Sequence, residues 1–68
     1  MKVIVNGKER FIKESVNIKE LLRLLDIEFR EVGLAVSVNG EVVPKSEYES
    51  TYIKEGDSIE IVQLVGGG

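Results

Sequence analysis

The sequence contains no cysteine, no histidine and no tryptophan among its 68 residues. Without cysteine the chain can form no disulfide and offers no thiol nucleophile. Without histidine or cysteine its set of metal ligands is poor. Histidine is also the side chain that most often performs acid–base catalysis near neutral pH. These absences weigh against a metalloprotein and against an enzyme that depends on a histidine or a cysteine.

Long apolar runs and a basic charge balance are also missing. The formal net charge is −3, whereas nucleic-acid-binding proteins usually carry a basic stripe. No apolar run approaches the ~20 residues that cross a bilayer, and the N-terminus lacks the apolar core of a signal peptide. Hydrophobic residues make up 43% of the chain, which suffices for a small core. We therefore expect one cytoplasmic domain that binds neither nucleic acid nor membrane.

The clearest secondary-structure signal is an amphipathic helix that begins after Asn17. Asn17 is a suitable N-cap, and Glu20 three residues later completes a variant of the capping box. We predict a helix of about ten residues that ends at Asp26 or Ile27. Its apolar residues recur with the spacing of one buried helical face, at Ile18, Leu21, Leu22 and Leu25.

Two Asn-Gly pairs predict two β-hairpins, because Asn-Gly is the favoured pair for a two-residue type I′ turn. The pairs stand at residues 6–7 and 39–40, each after a β-branched run. At the first hairpin, a strict two-residue turn would pair Val3 with Arg10 and place Phe11 on the face of Lys2. We expect one bulged residue there instead, because it turns Phe11 towards the core.

The order of elements favours an α+β fold. We predict an irregular crossing over residues 45–57, with one helical turn at Ser46 to Glu49, and a final central strand over Ile59–Val65. A four- to five-stranded mixed sheet with one main helix packed on one face, the β-grasp or ubiquitin-like fold, would bury these apolar stripes. Residues 1–65 would form the domain and residues 66–68 a flexible tail.

No side-chain constellation for catalysis stands out in the chain. The serines have no base partner, and the carboxylates lie in polar stretches that are typical of solvated surface. Tyr48 and Tyr52 could mark a binding surface, but we expect them to cap the small core. The remaining candidate for chemistry is the C-terminus.

Three glycines, Gly66, Gly67 and Gly68, directly follow the last predicted strand. An idle chain end is one reading of them, since termini are often disordered. The other reading is a thin peptide that enters a narrow channel and places the Gly68 carboxylate in the active site of another protein. A carboxylate is a poor electrophile, so ATP would have to activate it by adenylation. The chain would then be a substrate and carrier rather than a catalyst.

Four segments carry a resemblance to a known family. They read "VNG" at 5–7, "NIKELLRLL" at 17–25, "LAVSVNGEVVPKSEY" at 34–48 and "EGDSIEIVQLVGGG" at 55–68. In these segments the chain resembles the ThiS family of sulfur carriers, and more distantly the MoaD family and ubiquitin. The resemblance covers essentially the whole length.

The resemblance implies a sulfur carrier for thiazole formation in thiamine biosynthesis. A ubiquitin-activating-like adenylyltransferase of the ThiF type would adenylate the Gly68 carboxylate with ATP and Mg²⁺. Sulfur delivered from a cysteine desulfurase would convert the adenylate to a thiocarboxylate, and a thiazole synthase of the ThiG type would receive it. Gly66 and Gly67 would be the slender approach, and the chain itself would bind no cofactor.

Strand alternation adds a candidate partner surface. If Ile59 and Ile61 face the helix, neighbouring side chains of the last strand face the other way. We predict an exposed apolar patch on that face, rimmed by acids and formed by Ile4, Val62 and Leu64. Two alternatives stay open: a MoaD-like or tRNA-thiolation sulfur carrier, and a β-grasp interaction module whose glycine tail does nothing.

Overall fold

The structure, a computed structural model, describes residues 1–28 and 33–63. The predicted domain boundary at residue 65, Leu64 and the three terminal glycines lie outside the described residues. The described part contains one α-helix and five strands, β1 Lys2–Val5, β2 Lys8–Phe11, α1 Ile18–Leu24, β3 Leu34–Val38, β4 Glu41–Val43 and β5 Ser58–Gln63.

The five strands form one mixed sheet in the order β2-β1-β5-β3-β4. β5 runs parallel to β1 and antiparallel to β3, so the last strand occupies the centre of the sheet. The buried side chains of α1 and those of β1, β3 and β5 belong to one hydrophobic cluster, which places the helix on one face. The predicted β-grasp architecture is confirmed, including the parallel pairing of the first and last strands.

The predicted bulge in the first hairpin is wrong. Val3 pairs with Arg10 and Lys2 pairs with Phe11, as a strict two-residue turn requires. The turn residues Asn6 and Gly7 both have positive φ, at 50° and 80°, which is the type I′ conformation. Together with the burial of Val3 in the core, this turn determines the register. Phe11 is therefore on the exposed edge strand and remains 79% exposed.

The start of α1 matches its prediction and its end does not. Asn17 accepts from the Glu20 N–H at 2.8 Å, and Glu20 accepts in return from the Asn17 N–H at 3.2 Å, which completes the capping box. The helix spans seven residues rather than ten. Asp26 turns to φ 63°, and Ile27 N–H donates to the Leu22 carbonyl at 2.8 Å. This is the Schellman arrangement, with Asp26 in the place that glycine usually takes.

The crossing between β4 and β5 closes one end of the core. Its helical turn is a 3-10 turn over Lys45–Glu47, which begins one residue and ends two residues earlier than predicted. Tyr48 and Ile53 are buried, whereas Tyr52 is mostly exposed, so only the first tyrosine caps the core. Ile53 N–H donates to the Val16 carbonyl at 3.0 Å, which ties the crossing to the chain that enters α1.

Two leucines of α1 offer a matched test of the core. Leu22 is fully buried, and Leu24 is 64% exposed. We expect Leu22→Ala to lower the free energy of unfolding by about 2–5 kcal/mol, because it leaves a cavity in the core. Leu24→Ala removes the same atoms from the surface and should change it by less than about 1 kcal/mol. Urea denaturation monitored by circular dichroism measures both, and equal losses would contradict this packing.

The burial of Tyr48 predicts a loss of stability in alkali. Desolvation raises the pKa of its phenol above the usual 10.0, so the folded state keeps the proton longer than the unfolded state does. The phenol's contribution to the free energy of unfolding is then complete below the pKa that it has in the unfolded chain. That contribution is lost as the pH rises above this value towards the higher pKa of the folded state. Unfolding midpoints between pH 9 and 12 (about one unit below to two above the unfolded pKa) should fall more steeply for the natural chain than for Tyr48→Phe. Parallel curves would show that the phenol does not contribute.

Candidate functional site

The candidate site begins at β5, the strand that leads by sequence into the terminal glycines. Ile59 and Ile61 are buried against the core on the helix side, and Glu60 and Val62 are exposed on the opposite side. The predicted alternation along β5 is therefore observed. Gly66, Gly67 and Gly68 lie outside the described residues, and β5 is the described strand that precedes them in the sequence.

The asparagine of the first hairpin turn contacts β5 at Ile59 and at Ile61. Its main-chain N–H donates to the Ile59 carbonyl at 2.9 Å. Its side chain accepts from the Ile61 N–H through Oδ1 at 2.8 Å and donates through Nδ2 to the Ile61 carbonyl at 3.2 Å. Asn6 stands one residue beyond the end of β1, so its carboxamide extends the pairing of β5 past the end of its parallel neighbour.

The asparagine of the second hairpin turn contacts the other end of β5. Asn39 N–H donates to the Ser58 carbonyl at 2.7 Å, and Asn39 Oδ1 accepts from the Ser58 N–H at 2.9 Å. Its Nδ2 donates to Asp57 Oδ1, also at 2.9 Å. The sequence indicated these two asparagines only as turn formers. The residue type itself is a signal for their contacts with β5. Glycine or aspartate would also suit a type I′ turn, but neither can both donate and accept hydrogen bonds through a side-chain amide, as asparagine does.

The predicted apolar patch is only partly described. Ile4 pairs with Ser58 across β1 and β5, and Val62 pairs with Ala35 across β5 and β3. Ile4 and Val62 therefore share the face away from the helix, but they lie four residues apart along the strand direction, or about 13 Å, with Glu60 between their levels. The described residue beside Val62 on β3 is Ala35. Leu64 lies outside the described residues.

The described residues offer little other chemistry. Within residues 1–28 and 33–63 no group of acidic side chains is placed to hold a metal ion. The Ser15 hydroxyl donates to the Ile53 carbonyl at 2.6 Å, and that of Ser50 donates to the Glu47 carbonyl at 3.3 Å. These two serines hold the crossing in place. The described residues contain no helix that is long and apolar enough to span a membrane.

An open apolar groove separates β2 from α1. Phe11 and Leu24, two of the large exposed hydrophobic side chains, both line it, together with Leu21 and the basic residues Arg10 and Lys13. The sequence reasoning missed this surface, because it directed Phe11 into the core.

Comparison with known proteins identifies the family of this chain. The sequence profile of the ThiS family matches residues 3–68. The chain belongs to the ThiS family. A crystal structure of the thiamine biosynthesis protein ThiS from Geobacter metallireducens is similar over 100% of both chains, with 36% identity and a TM-score of 0.84. The sulfur carrier protein ThiS of Bacillus subtilis is 35% identical over 94% of this chain and 96% of its own length.

A longer relative also contains a ThiS-like segment. A protein from Paramagnetospirillum magneticum named thiazole synthase is 43% identical over 100% of this chain. The chain spans 20% of the length of that relative. In that protein, a segment similar to this chain is therefore part of a longer polypeptide that is named thiazole synthase as a whole.

Proposed function

We propose that this chain is a sulfur carrier of thiamine biosynthesis, and that the C-terminal carboxylate of Gly68 carries the sulfur. The observation that supports this most directly is that the family match runs from residue 3 to residue 68 and so includes the terminal glycines. The position of β5 agrees with it, because a central strand with partners on both sides gives the tail a rigid base. The chain is thus a protein substrate, and the catalysts are its partners.

The chemistry follows from the weakness of a carboxylate as an electrophile. In a chain that ends at Gly68, a carboxylate oxygen attacks the α-phosphorus of ATP and pyrophosphate leaves, which gives an acyl adenylate. A sulfur nucleophile then attacks the carbonyl carbon, and AMP leaves with the electron pair of the broken C–O bond. A persulfide, the form in which a cysteine desulfurase delivers sulfur, gives an acyl disulfide at this step. A thiol reductant then attacks the sulfur that belongs to the donor, so that the S–S bond breaks, a new disulfide forms and the thiocarboxylate leaves. The adenylating partner supplies ATP and Mg²⁺, and this chain supplies the carboxylate.

The partners follow from the same chemistry. We propose a ubiquitin-activating-like adenylyltransferase of the ThiF type, a cysteine desulfurase as the source of sulfur, and a thiazole synthase of the ThiG type as the acceptor. The thiazole synthase relative with a ThiS-like segment supports the last of these. A MoaD-like or tRNA-thiolation carrier would use the same first steps and a different acceptor. The cytoplasmic location expected from the sequence stays a prediction.

Intact-mass spectrometry tests the carrier proposal. After incubation with a ThiF-type enzyme, Mg-ATP and a sulfur source, we expect the mass to rise by the difference between sulfur and oxygen, with the change located at Gly68. The matched control is the same chain with an amidated C-terminus, which has no carboxylate and should gain nothing. A natural chain that stays unmodified by an enzyme active on another carrier, or an amidated chain that is modified, would refute the proposal.

A lengthened tail separates a carrier from a passive interaction module. One alanine added after Gly68 places a methyl group next to the terminal carboxylate and moves that carboxylate beyond the glycines. A carrier should lose activation almost completely, because the reacting atoms must be aligned to within about 1 Å. Its binding to the partners, measured by calorimetry, should change much less. Activation at the natural rate would favour the module over the carrier.

The outer face of β5 is proposed as part of the partner interface. Val62 is 49% exposed close to the start of the tail, so Val62→Glu should weaken the complex with the adenylating enzyme by roughly tenfold or more, because it places a charge in an apolar contact. Val42→Glu is the matched control. Val42 is 76% exposed on edge strand β4. It lies on the same face of the sheet as Glu60, because both residues pair with Ser37. Equal affinities for the two variants would remove Val62 from the interface.

A further inference from the structure

We propose that Asn6 is a positioning residue for the C-terminal tail, acting through Ile61. This inference rests on the proposed carrier function. β1 ends at Val5, where the chain turns back into β2. At that point the Asn6 side chain takes the place of a further β1 residue, because its amide presents one acceptor and one donor to the two main-chain groups of Ile61.

The geometry of this contact is that of a main-chain pair. A peptide group and a carboxamide both offer a C=O and an N–H, so the Asn6 side chain can satisfy both the N–H and the carbonyl of Ile61. The two distances, 2.8 and 3.2 Å, are within the usual range for N–H···O hydrogen bonds. With the Asn6 N–H on the Ile59 carbonyl, a single residue binds β5 at two successive positions on its β1 side.

Of the two β5 residues that Asn6 contacts, Ile61 is the nearer to the tail, because seven residues follow Ile61 in the sequence and nine follow Ile59. Without the Asn6 side chain, Asn6 would reach β5 only through its main-chain N–H at Ile59. The segment from Ile61 onward would then be held less firmly on that side, although β3 still pairs with Val62 on the other. A partner that binds the tail would have to order this looser segment, and binding weakens when flexible residues must be ordered.

The second hairpin supplies a matched control within the same molecule. Asn39 holds Ser58 at the start of β5, as Asn6 holds Ile61 near its end. Both asparagines are exposed, and both occupy the first central position of an Asn-Gly turn with φ near 50°. Asn6→Gly and Asn39→Gly would each produce a Gly-Gly turn, which suits the type I′ conformation. The two variants remove similar hydrogen bonds from opposite ends of one strand.

Two measurements on the full-length chain test the proposal. Amide hydrogen exchange reports the local contact: Asn6→Gly should speed exchange at Ile61 by about tenfold relative to the natural chain, and Asn39→Gly should do so at Ser58 instead. Pyrophosphate release by a ThiF-type enzyme reports the tail. Asn6→Gly should lower kcat/KM by about three- to tenfold, mainly through KM, because the ordering of the tail is a cost of binding. Asn39→Gly should stay within about twofold.

Asn6→Asp provides a graded variant. Aspartate also suits the turn and keeps an acceptor for the Ile61 N–H, but at neutral pH it has no donor for the Ile61 carbonyl. Its exchange rate at Ile61 and its KM should therefore lie between those of the natural chain and Asn6→Gly. An Asn6→Gly variant that loses no more kcat/KM than Asn39→Gly, or that leaves exchange at Ile61 unchanged, would overturn the proposal.

The design separates this inference from the carrier function. If the natural chain releases no pyrophosphate with an active enzyme, the carrier function fails, and the positioning role fails with it even where exchange at Ile61 responds to Asn6. If the natural chain is activated and the Asn6 and Asn39 variants behave alike, the carrier function stands and the positioning role fails.

Discussion

The structure depends on the pairing of β5 with a strand on each side. β5 is last in the sequence and central in the sheet, so the domain is complete only when its final strand lies between β1 and β3. Ile59 and Ile61 fill the core from this strand, and full burial of one such side chain contributes about 1.5–3 kcal/mol. A chain of this size is stable by only about 3–10 kcal/mol. Folding of the domain and placement of β5 at the centre of the sheet are therefore one event.

Local signals predicted the parts of the fold that depend on neighbouring residues. The capping box of Asn17 and Glu20 and the two Asn-Gly turns require only a few consecutive residues, and all are present. The prediction that Phe11 faces the core was wrong. The orientation of Phe11 depends on competition between the geometry of the turn, the burial of Val3 and the freedom of the sheet edge. The predicted end of α1 at Asp26 or Ile27 was wrong, because Asp26 adopts a left-handed conformation that the sequence pattern does not require.

In the candidate site too, the features set by neighbouring residues were predictable and those set by residues remote in the sequence were not. The alternation of Ile59 and Ile61 with exposed neighbours follows from the period of two in any strand, so it was predictable. The distance of Ile4 from Val62 along the sheet depends on the register of the parallel pair, and that register links residues more than fifty positions apart. The contacts of Asn6 with Ile61 are equally remote in sequence. These contacts exist only because the fold places β1 beside β5.

The two turn asparagines show how so small a domain can combine a turn with support for its central strand. In a type I′ turn the first central residue needs a positive φ, which asparagine tolerates. Such a residue sits beside the end of its own strand, and its side chain can reach a neighbouring strand that runs on further. At Asn39 that strand is β5 at its beginning, and at Asn6 it is β5 near its end. The first contact holds the start of β5, and the second holds Ile61 near its end, which is the contact through which we propose that Asn6 positions the tail.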